Sequence, residues 1–331
     1  MKLMWYIMSG NIENALLEIN FDRASLTTSS YTCIVYKISK NTCRIEFNDG
    51  GGMQSFEDEI DPDALYSSNA EDAANPRLQA AGSSVFFPTF RRIEGGFTLQ
   101  SRRTVRRGAG RVRVEIEDVL NALSKELSNA QHMFITSISA VDIVELLLRR
   151  YTDLSQEYTE MQQSLSVSII TRIGMYKASE DDSAPSKTAS NILDGIRDSI
   201  EELERKRSDI MTPFDELRKV VERMFKHVGI KIDARLNFGD TASAVNSDDL
   251  SAGEKQLLSF LCYNAFYNDC VIFIDEPELS LHVDWQRQLF AILCRQNPSN
   301  QFVIATHSPF IYSKFPDKEL VMDVDRGDEG E

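Results

Sequence analysis

The segment that most constrains the fold is a short apolar run followed at once by carboxylates, Cys270-Val-Ile-Phe-Ile-Asp-Glu-Pro-Glu278. The apolar residues 271–274 predict a strand that is buried on both faces, as in a parallel sheet. Asp275 and Glu276 follow at its carboxyl end, which is the edge where open α/β sheets carry their sites. One carboxylate there suits Mg²⁺, and the other suits orienting or deprotonating a water. A buried strand that simply ends in an acidic turn is the alternative.

A second segment, Asp249-Leu-Ser-Ala-Gly-Glu-Lys-Gln256, precedes a predicted helix near 253–267. Ser251 and Gly253 place a hydroxyl and free backbone N–H groups at the helix start, which favours an anion site. The alternative is an ordinary capping box, because Glu254 comes three residues after Ser251.

A third segment, Phe302-Val-Ile-Ala-Thr-His-Ser-Pro309, is another apolar strand that ends in polar residues. Its His307 comes one helix and one strand after Glu276, as a neighbouring parallel strand requires. An imidazole at that edge can donate a hydrogen bond to a phosphate oxygen. Short strands at 230–232, 271–274 and 301–305 alternate with helices near 253–267 and 284–295, which predicts a largely parallel α/β sheet.

The segments described so far lie in an α/β part, residues 229–331. The residues before it divide into a β-rich part, 1–113, and a helical part, 114–228. Runs rich in β-branched and aromatic residues, 31–38 and 43–47, predict a hairpin, and 84–90 predicts a further strand. Residues 57–75 have the acidic composition of a loop.

Within the helical part, two seams of apolar residues at heptad spacing are separated by a polar segment, 177–187. They predict either an antiparallel coiled-coil hairpin or a plain helical subdomain packed on the core. We expect Pro213 to kink or break the second helix.

Composition narrows the range of partners. The net charge is −15, which argues against a protein that coats duplex DNA with its whole surface. Eight arginines nevertheless lie between residues 90 and 115. Arg91 and Arg92 are candidates for facing a nucleotide, and the stretch 91–113 for binding DNA, RNA or an acidic partner. A solvated basic hairpin is the alternative.

Neither a membrane nor an oxidising compartment is indicated. No apolar run approaches the ~18 residues of a membrane span. The five cysteines form no CxxC pair, so we expect reduced thiols and a cytoplasmic protein.

Three segments in order, Leu250-Ser-Ala-Gly-Glu-Lys-Gln256, then 271–282, then Ala305-Thr-His-Ser-Pro-Phe310, resemble the signature motif, the Walker B strand with D-loop, and the H-loop of ABC-type ATPases. The sequence from Glu276 to Gln286 is similar to SMC/RecF-like ABC ATPases grouped as AAA-type ATP-binding proteins. Such proteins occur in overcoming-lysogenization nucleases and in retron-associated or other phage-defence systems. ABC transporters typically carry Asp where this chain has His282. The clear resemblance covers about residues 245–315.

The resemblance implies an ABC-type ATPase head with a mainly parallel core sheet, an antiparallel β segment and a helical or coiled-coil insertion. It implies ATP and Mg²⁺ as cofactors and a head-to-tail homodimer that encloses ATP. The implied roles are Mg²⁺ binding for Asp275, water activation for Glu276 and γ-phosphate contact for His307. Ser251 and Gly253 would contact the ATP bound by the opposite subunit, and Glu254 is a further candidate for binding ATP. Ser280 and His282 would belong to the D-loop.

The resemblance also calls for a glycine-rich phosphate loop, GxxxxGK[ST], and residues 1–331 contain none. The nearest glycine clusters, 50–55 and 107–112, lack its lysine and its spacing. We expect the loop to precede residue 1, with a misassigned start, a gene remnant or a loop from another polypeptide as explanations. The chain as given is then expected to bind ATP poorly.

Three functions follow as hypotheses. The first is a dimeric ATP-driven switch that controls an effector such as a nuclease or toxin, in anti-phage defence. The second is a non-catalytic remnant or regulatory scaffold, and the third is a DNA-repair ATPase that clamps DNA directly. An in-frame GxxxxGK[ST] upstream of Met1 would favour the first hypothesis over the second.

Overall fold

The structure, a computed structural model, describes residues 1–58, 69–89, 92–93, 116–129, 131–138, 140–178, 185–224 and 251–320. The chain divides into two compact units, one formed by residues 1–138 with 251–331 and the other by residues 139–250. Residues 116–138, which the sequence placed in the helical part, therefore belong to the first unit.

The first unit begins with two short helices and an antiparallel sheet. These elements are α1 (Lys2–Met8), α2 (Ile12–Glu18), β1 (Arg23–Thr27), β2 (Thr32–Lys37), β3 (Cys43–Asn48) and β4 (Met53–Glu57). The strands pair in chain order, with Val35 of β2 opposite Ile45 of β3. β3 alternates buried and half-buried residues along its length, as a strand with one covered face does. The predicted antiparallel β segment is confirmed.

Helix α3 (Ala70–Ala80) packs on β3 and β4. The expectation of a loop over residues 57–75 is therefore wrong for its last six residues. Asp58 anchors the helix, since its carboxylate accepts the N–H of Ala70 at 2.6 Å and that of Cys43 at 2.8 Å. Acidic residues in the first turn suit the positive end of the helix dipole, so the composition that indicated a loop instead stabilises a helix start.

A second sheet forms the centre of this unit. The remaining strands are β5 (Ser83–Phe87), β6 (Arg92–Ile93), β7 (His132–Phe134), β8 (Ser137–Ile138), β9 (Cys270–Asp275) and β10 (Gln301–Ala305). Four of them form a parallel sheet in the order β10-β9-β5-β7. β6 and β8 form a separate parallel pair. The predicted mixed α/β class with a mainly parallel core sheet is confirmed.

Aromatic side chains fill the core of the first unit. Trp5 of α1 lies with its ring centroid 5.7 Å from that of Phe86 and 5.0 Å from that of Phe134. Phe86 in turn meets Phe273 edge to face at 6.2 Å. All four side chains are at most 1% exposed. The contacts tie the N-terminal helix to β5, β7 and β9, so the N-terminal and C-terminal segments of the chain share one core.

Helix α4 (Ile116–Leu127) completes the middle of the first unit, and the second unit contains α5 (Ala140–Ala178) and α6 (Pro185–Met224). These two helices have 39 and 40 residues and contact each other. Arg207 of α6 lies over the Tyr158 ring of α5, 5.7 Å from its centroid. Since consecutive helices that pack along their length must reverse direction, they form an antiparallel pair. α6 continues through Pro213, so the predicted break is absent.

The C-terminal part of the first unit adds four helices to the parallel sheet. They are α7 (Ala252–Phe266), α8 (Val283–Gln286), α9 (Leu289–Gln296) and α10 (Pro309–Tyr312). Asn264 of α7 donates to the carbonyl of Leu293 in α9 at 2.9 Å. Asn300 accepts the N–H of Cys270 at 3.0 Å and donates to Asn264. These buried amides fix both helices against the start of β9. Among the described residues, no helix has the length and hydropathy needed to cross a bilayer.

Candidate functional site

The two predicted strand ends meet at one edge of the parallel sheet. Asp275 ends β9 opposite Ala305, the last residue of β10. The N–H of Glu276 donates to the Ala305 carbonyl at 2.8 Å. The turn that carries His307 follows directly. Asp275, Glu276 and the His307 turn are therefore brought to the same edge, as their positions after parallel strands predicted.

Glu276 adopts a backbone conformation that is uncommon for its residue type. Its φ is +47°, in the left-handed region. For a residue with a Cβ this conformation costs about 1–2 kcal/mol, and such strain is concentrated at functional sites. Ser280, in the following loop, has a φ of +66°. Two strained residues thus lie in the turn that leaves the Asp-Glu pair.

Asp275 receives a hydrogen bond from the neighbouring strand's end. The Thr89 hydroxyl, two residues after β5, donates to Asp275 Oδ2 at 2.5 Å. Carboxylate and hydroxyl oxygens are hard ligands of the kind Mg²⁺ takes, so this pair fits that ion chemically. Thr89 lies in the apolar run 84–90 that predicted a strand, but it was not assigned a role from the sequence.

Glu278 ties the loop after β9 to the turn after β10. Its carboxylate accepts the Thr306 hydroxyl at 2.7 Å and the His307 N–H at 2.8 Å. Gln286 of α8 accepts the Ser308 hydroxyl at 2.7 Å and donates to the Leu281 carbonyl at 2.8 Å. Both Glu278 and Gln286 lie in the segment 276–286 that carries the family resemblance, but neither was assigned a role from the sequence.

The start of α7 contains a complete capping box. The Ser251 hydroxyl accepts the Glu254 N–H at 3.3 Å, and the Glu254 carboxylate accepts the Ser251 N–H at 2.7 Å. The structural alternative raised from the sequence is thus present. Ser251 is exposed and Glu254 is buried, so the serine lies at the surface while the glutamate is held inside.

Gly253 and the loop after β9 are in close contact. A Cβ added at Gly253 would lie 2.1 Å from the carbonyl oxygen of Ser280, closer than any side chain permits. Gln256, fully buried, donates to the Pro277 carbonyl at 3.3 Å. The predicted signature segment and the predicted D-loop therefore touch within one chain.

His282 and Ser280 are both exposed. His282 is the N-cap of α8, and its Nδ1 accepts the Asp284 N–H at 3.3 Å. This gives His282 a local structural role at the position where the resemblance placed a D-loop residue. Arg91 and the stretch 94–113 lie outside the described residues, and Arg92 is described only as backbone in β6.

Among the described residues, a further group of potential metal ligands lies beside the antiparallel sheet. Cys43, Asp58 and Glu71 place one ligand atom each within 4.8 Å of one another. Asp58 already accepts two backbone N–H groups, and burial raises the pKa of Glu71. The Cys43 thiol donates to Oε2 of Glu71 at 3.6 Å, and these hydrogen bonds account for the group without an ion.

Comparison with known families gives a match over residues 116–313, more than half of the chain. The matching family is described as "AAA domain, putative AbiEii toxin, Type IV TA system". The chain belongs to this AAA family. The resemblance to AAA-type ATPases seen in the three motifs is confirmed, and the domain is a nucleotide-binding ATPase domain.

A solved structure of the Smc head domain with an extended coiled coil, from Pyrococcus furiosus and bound to the C-terminal domain of ScpA, is 13% identical to this chain. The alignment covers 93% of this chain and 81% of that chain, with a TM-score of 0.27. The family assignment rests on the match over residues 116–313.

Proposed function

We propose that this protein is a dimeric, ATP-driven switch whose chemistry takes place at the edge formed by Asp275, Glu276 and His307. The observation that carries the proposal is the convergence of three strand ends. Thr89 after β5, Asp275 after β9 and the His307 turn after β10 lie on adjacent parallel strands and are joined by hydrogen bonds. Polar groups gathered at this edge suit a phosphate-bearing ligand.

Each residue at this edge would have a separate role, which follows from its position. Asp275 and Thr89 would hold Mg²⁺, which when bound neutralises charge on phosphate oxygens. Glu276 would orient and deprotonate the attacking water, because it follows Asp275 directly and its amide is fixed to the neighbouring strand. The exposed imidazole of His307 would donate to the γ-phosphate.

The exposed surface beside this edge favours a second copy of the chain as the partner. Ser251, Ser280 and His282 are exposed, and Leu279, in the loop after β9, is an apolar side chain with 43% exposure. In a head-to-tail dimer, Ser251 and Gly253 would face the ATP bound by the other copy. The N–H groups of Ala252 and Gly253, which the capping box does not use, would then be offered to that phosphate.

The effector under control would be a toxic partner in phage defence. The family's description names a toxin and a toxin–antitoxin system, which supports control of a toxic partner. The arginines of residues 91–113 make a nucleic acid a second candidate ligand.

ATP-dependent dimerisation tests the proposal. Glu276→Gln is expected to bind ATP without hydrolysing it and therefore to accumulate as a dimer with ATP and Mg²⁺, measured by light scattering after size exclusion. ADP should leave it monomeric. The assay uses residues 1–331. In parallel it uses the same chain extended by any residues that are encoded in frame before Met1. Absence of nucleotide binding in both forms would contradict the switch and favour a scaffold.

A further inference from the structure

We infer that Glu278 is a positioning residue: its carboxylate fixes the backbone turn that presents His307, with Gln286 as a second anchor. The inference deepens the proposed function and rests on it for the link to ATP. The contacts themselves are features of the chain alone and do not depend on a ligand.

The first anchor is a carboxylate used by two donors of one turn. Oε2 of Glu278 accepts the Thr306 hydroxyl at 2.7 Å, and Oε1 accepts the His307 N–H at 2.8 Å. Two donors on adjacent residues allow this turn only one orientation relative to the carboxylate. Hydrogen bonds to an ionised acceptor are about twice as strong as neutral ones.

The second anchor holds the other side of the same turn. Thr306 Oγ1, which donates to Glu278, also accepts the Ser308 N–H at 3.0 Å. The Ser308 hydroxyl donates to Gln286 Oε1 at 2.7 Å, and Gln286 Nε2 donates to the Leu281 carbonyl at 2.8 Å. Residues on both sides of His307 are therefore tied to the segment 278–286.

This arrangement leaves the His307 side chain available. His307 is exposed, whereas Ser308 beside it is buried. The fixed backbone and the exposed ring together suit a group that must reach a ligand at a set place. Rigid support of this kind is what a group contacting a reacting phosphate needs.

The alternative is that Glu278 stabilises the turn and has no bearing on the ligand. A purely structural role predicts a lower melting temperature with unchanged choice between ATP and ADP. The positioning role predicts a selective loss of ATP over ADP, because only ATP has the γ-phosphate that His307 would contact.

The first measurement needs no nucleotide. The chain has four histidines, so the imidazole NMR signal of His307 is identified by its loss in His307→Ala. In Glu278→Ala we expect this signal to move while those of His132 and His227, which lie outside the segment 278–286, stay in place. Glu157→Gln, a change at an exposed carboxylate of α5, is the control and should move none of them.

The second measurement is the ratio of ATP affinity to ADP affinity by equilibrium dialysis. It uses whichever form of the chain binds ATP, either residues 1–331 or the form extended upstream of Met1. Glu278→Ala and Thr306→Val are expected to lower this ratio by about tenfold, the worth of one hydrogen bond to a charged group. ADP affinity should stay within twofold. Thr306→Ser keeps the hydroxyl and is expected to restore the wild-type ratio. The comparison of Thr306→Val with Thr306→Ser therefore tests the positioning role even if Glu278→Ala fails to fold.

The two possible failures are distinguishable. An unmoved His307 signal in Glu278→Ala, or equal ratios in Thr306→Val and Thr306→Ser, overturns the positioning role. A wild-type protein without ATP binding overturns the proposed function and the ATP part of this inference, while a moved His307 signal still establishes that Glu278 fixes the turn.

Discussion

The molecule contains two four-stranded sheets that bury their residues in different ways. In the antiparallel sheet, β3 alternates buried and half-buried residues, so polar side chains are spread over one face. In the parallel sheet, β9 is buried over consecutive residues, Ile272–Ile274. A strand covered on both faces has no solvent side. Its polar groups must therefore collect at the strand ends, where several strands can contribute to one site.

The charges of the two sheets differ accordingly. On the antiparallel sheet the Tyr36 ring lies between the guanidinium groups of Arg23 and Arg44, at 5.6 and 4.6 Å. Arg44 also pairs with Glu46 at 2.8 Å, so the charges of that face are largely compensated where they stand. At the parallel edge Asp275, Glu276 and Glu278 lie within four residues of chain. The same residue type, glutamate, is thus a surface partner in one sheet and a candidate for chemistry in the other.

The largest expected effect separates these two kinds of glutamate. Glu276→Gln should lower ATP turnover by about 10²–10⁴-fold, the usual contribution of a general base, with little change in melting temperature. Glu46→Gln, the matched change on the antiparallel sheet, should leave turnover unchanged. Phosphate release by the ATP-binding form of the protein measures both. Equal turnover in wild type and Glu276→Gln would show that Glu276, like Glu46, has no part in ATP hydrolysis.

The next effect uses pH. His132 of β7 is fully buried, and burial lowers its pKa to about 4. Between pH 6.5 and 4 the unfolded chain binds a proton there that the folded chain does not. The free energy of unfolding should therefore fall by about 1.4 kcal/mol per pH unit, roughly 3 kcal/mol in all. Urea unfolding at pH 7, 6, 5 and 4 measures it.

Replacing the imidazole sharpens the test. His132→Gln should flatten the pH dependence on the acid side, and identical slopes in both proteins would contradict the assignment.

The antiparallel sheet should respond at the other end of the scale, since burial raises the pKa of Cys33 to about 12. Stability from that thiol is present below about pH 9 and is lost as the pH rises above it. Burial also raises the pKa of Cys43, Cys262 and Cys270, so Cys33→Ala should reduce the alkaline loss and leave the acid loss unchanged.

A smaller effect concerns close packing beside the edge. At Gly253 an added Cβ would meet the Ser280 carbonyl at 2.1 Å. Gly253→Ala should therefore destabilise the protein by about 1–3 kcal/mol, as overpacking does. Gly174 lies in α5 with nothing within 4 Å of an added Cβ. Gly174→Ala should instead stabilise the protein by about 0.5–1 kcal/mol, and thermal unfolding compares the two. If Gly253→Ala leaves the stability unchanged, the loop after β9 must shift to make room for the added methyl group at little cost.

What could be predicted from the sequence follows the same division. The edge was predictable because β9 and β10 are apolar runs that end in polar residues, and parallel strands end together. The hydrogen bond from Thr89 to Asp275 was not, since it joins residues 186 positions apart and depends on β5 pairing with β9. Glu278 reaches His307 across 29 positions, and its sequence neighbours give no sign of that contact.

Helix α3 was missed for a different reason. Its buried face consists of few residues, among them Ala74 and Leu78, and Pro76 lies inside it. Such a helix has almost no amphipathic signal, and Glu71 with Asp72 in its first turn adds to the loop-like composition. Its position is determined by packing on β3 and by the anchor that Asp58 provides, both of which are tertiary contacts.

The smallest effect tests whether Ser251 acts as a helix cap or as a ligand group. Ser251→Ala removes the cap on α7 and should cost about 1 kcal/mol. Ser251→Asp keeps a good capping acceptor, so its stability should stay near that of wild type. It also places a negative charge where the dimer would bring the other copy's γ-phosphate. ATP-dependent dimerisation in the Glu276→Gln background should therefore be lost in Ser251→Asp. If the Asp variant still dimerises with ATP, Ser251 is a cap alone, and the phosphate of the other copy binds elsewhere.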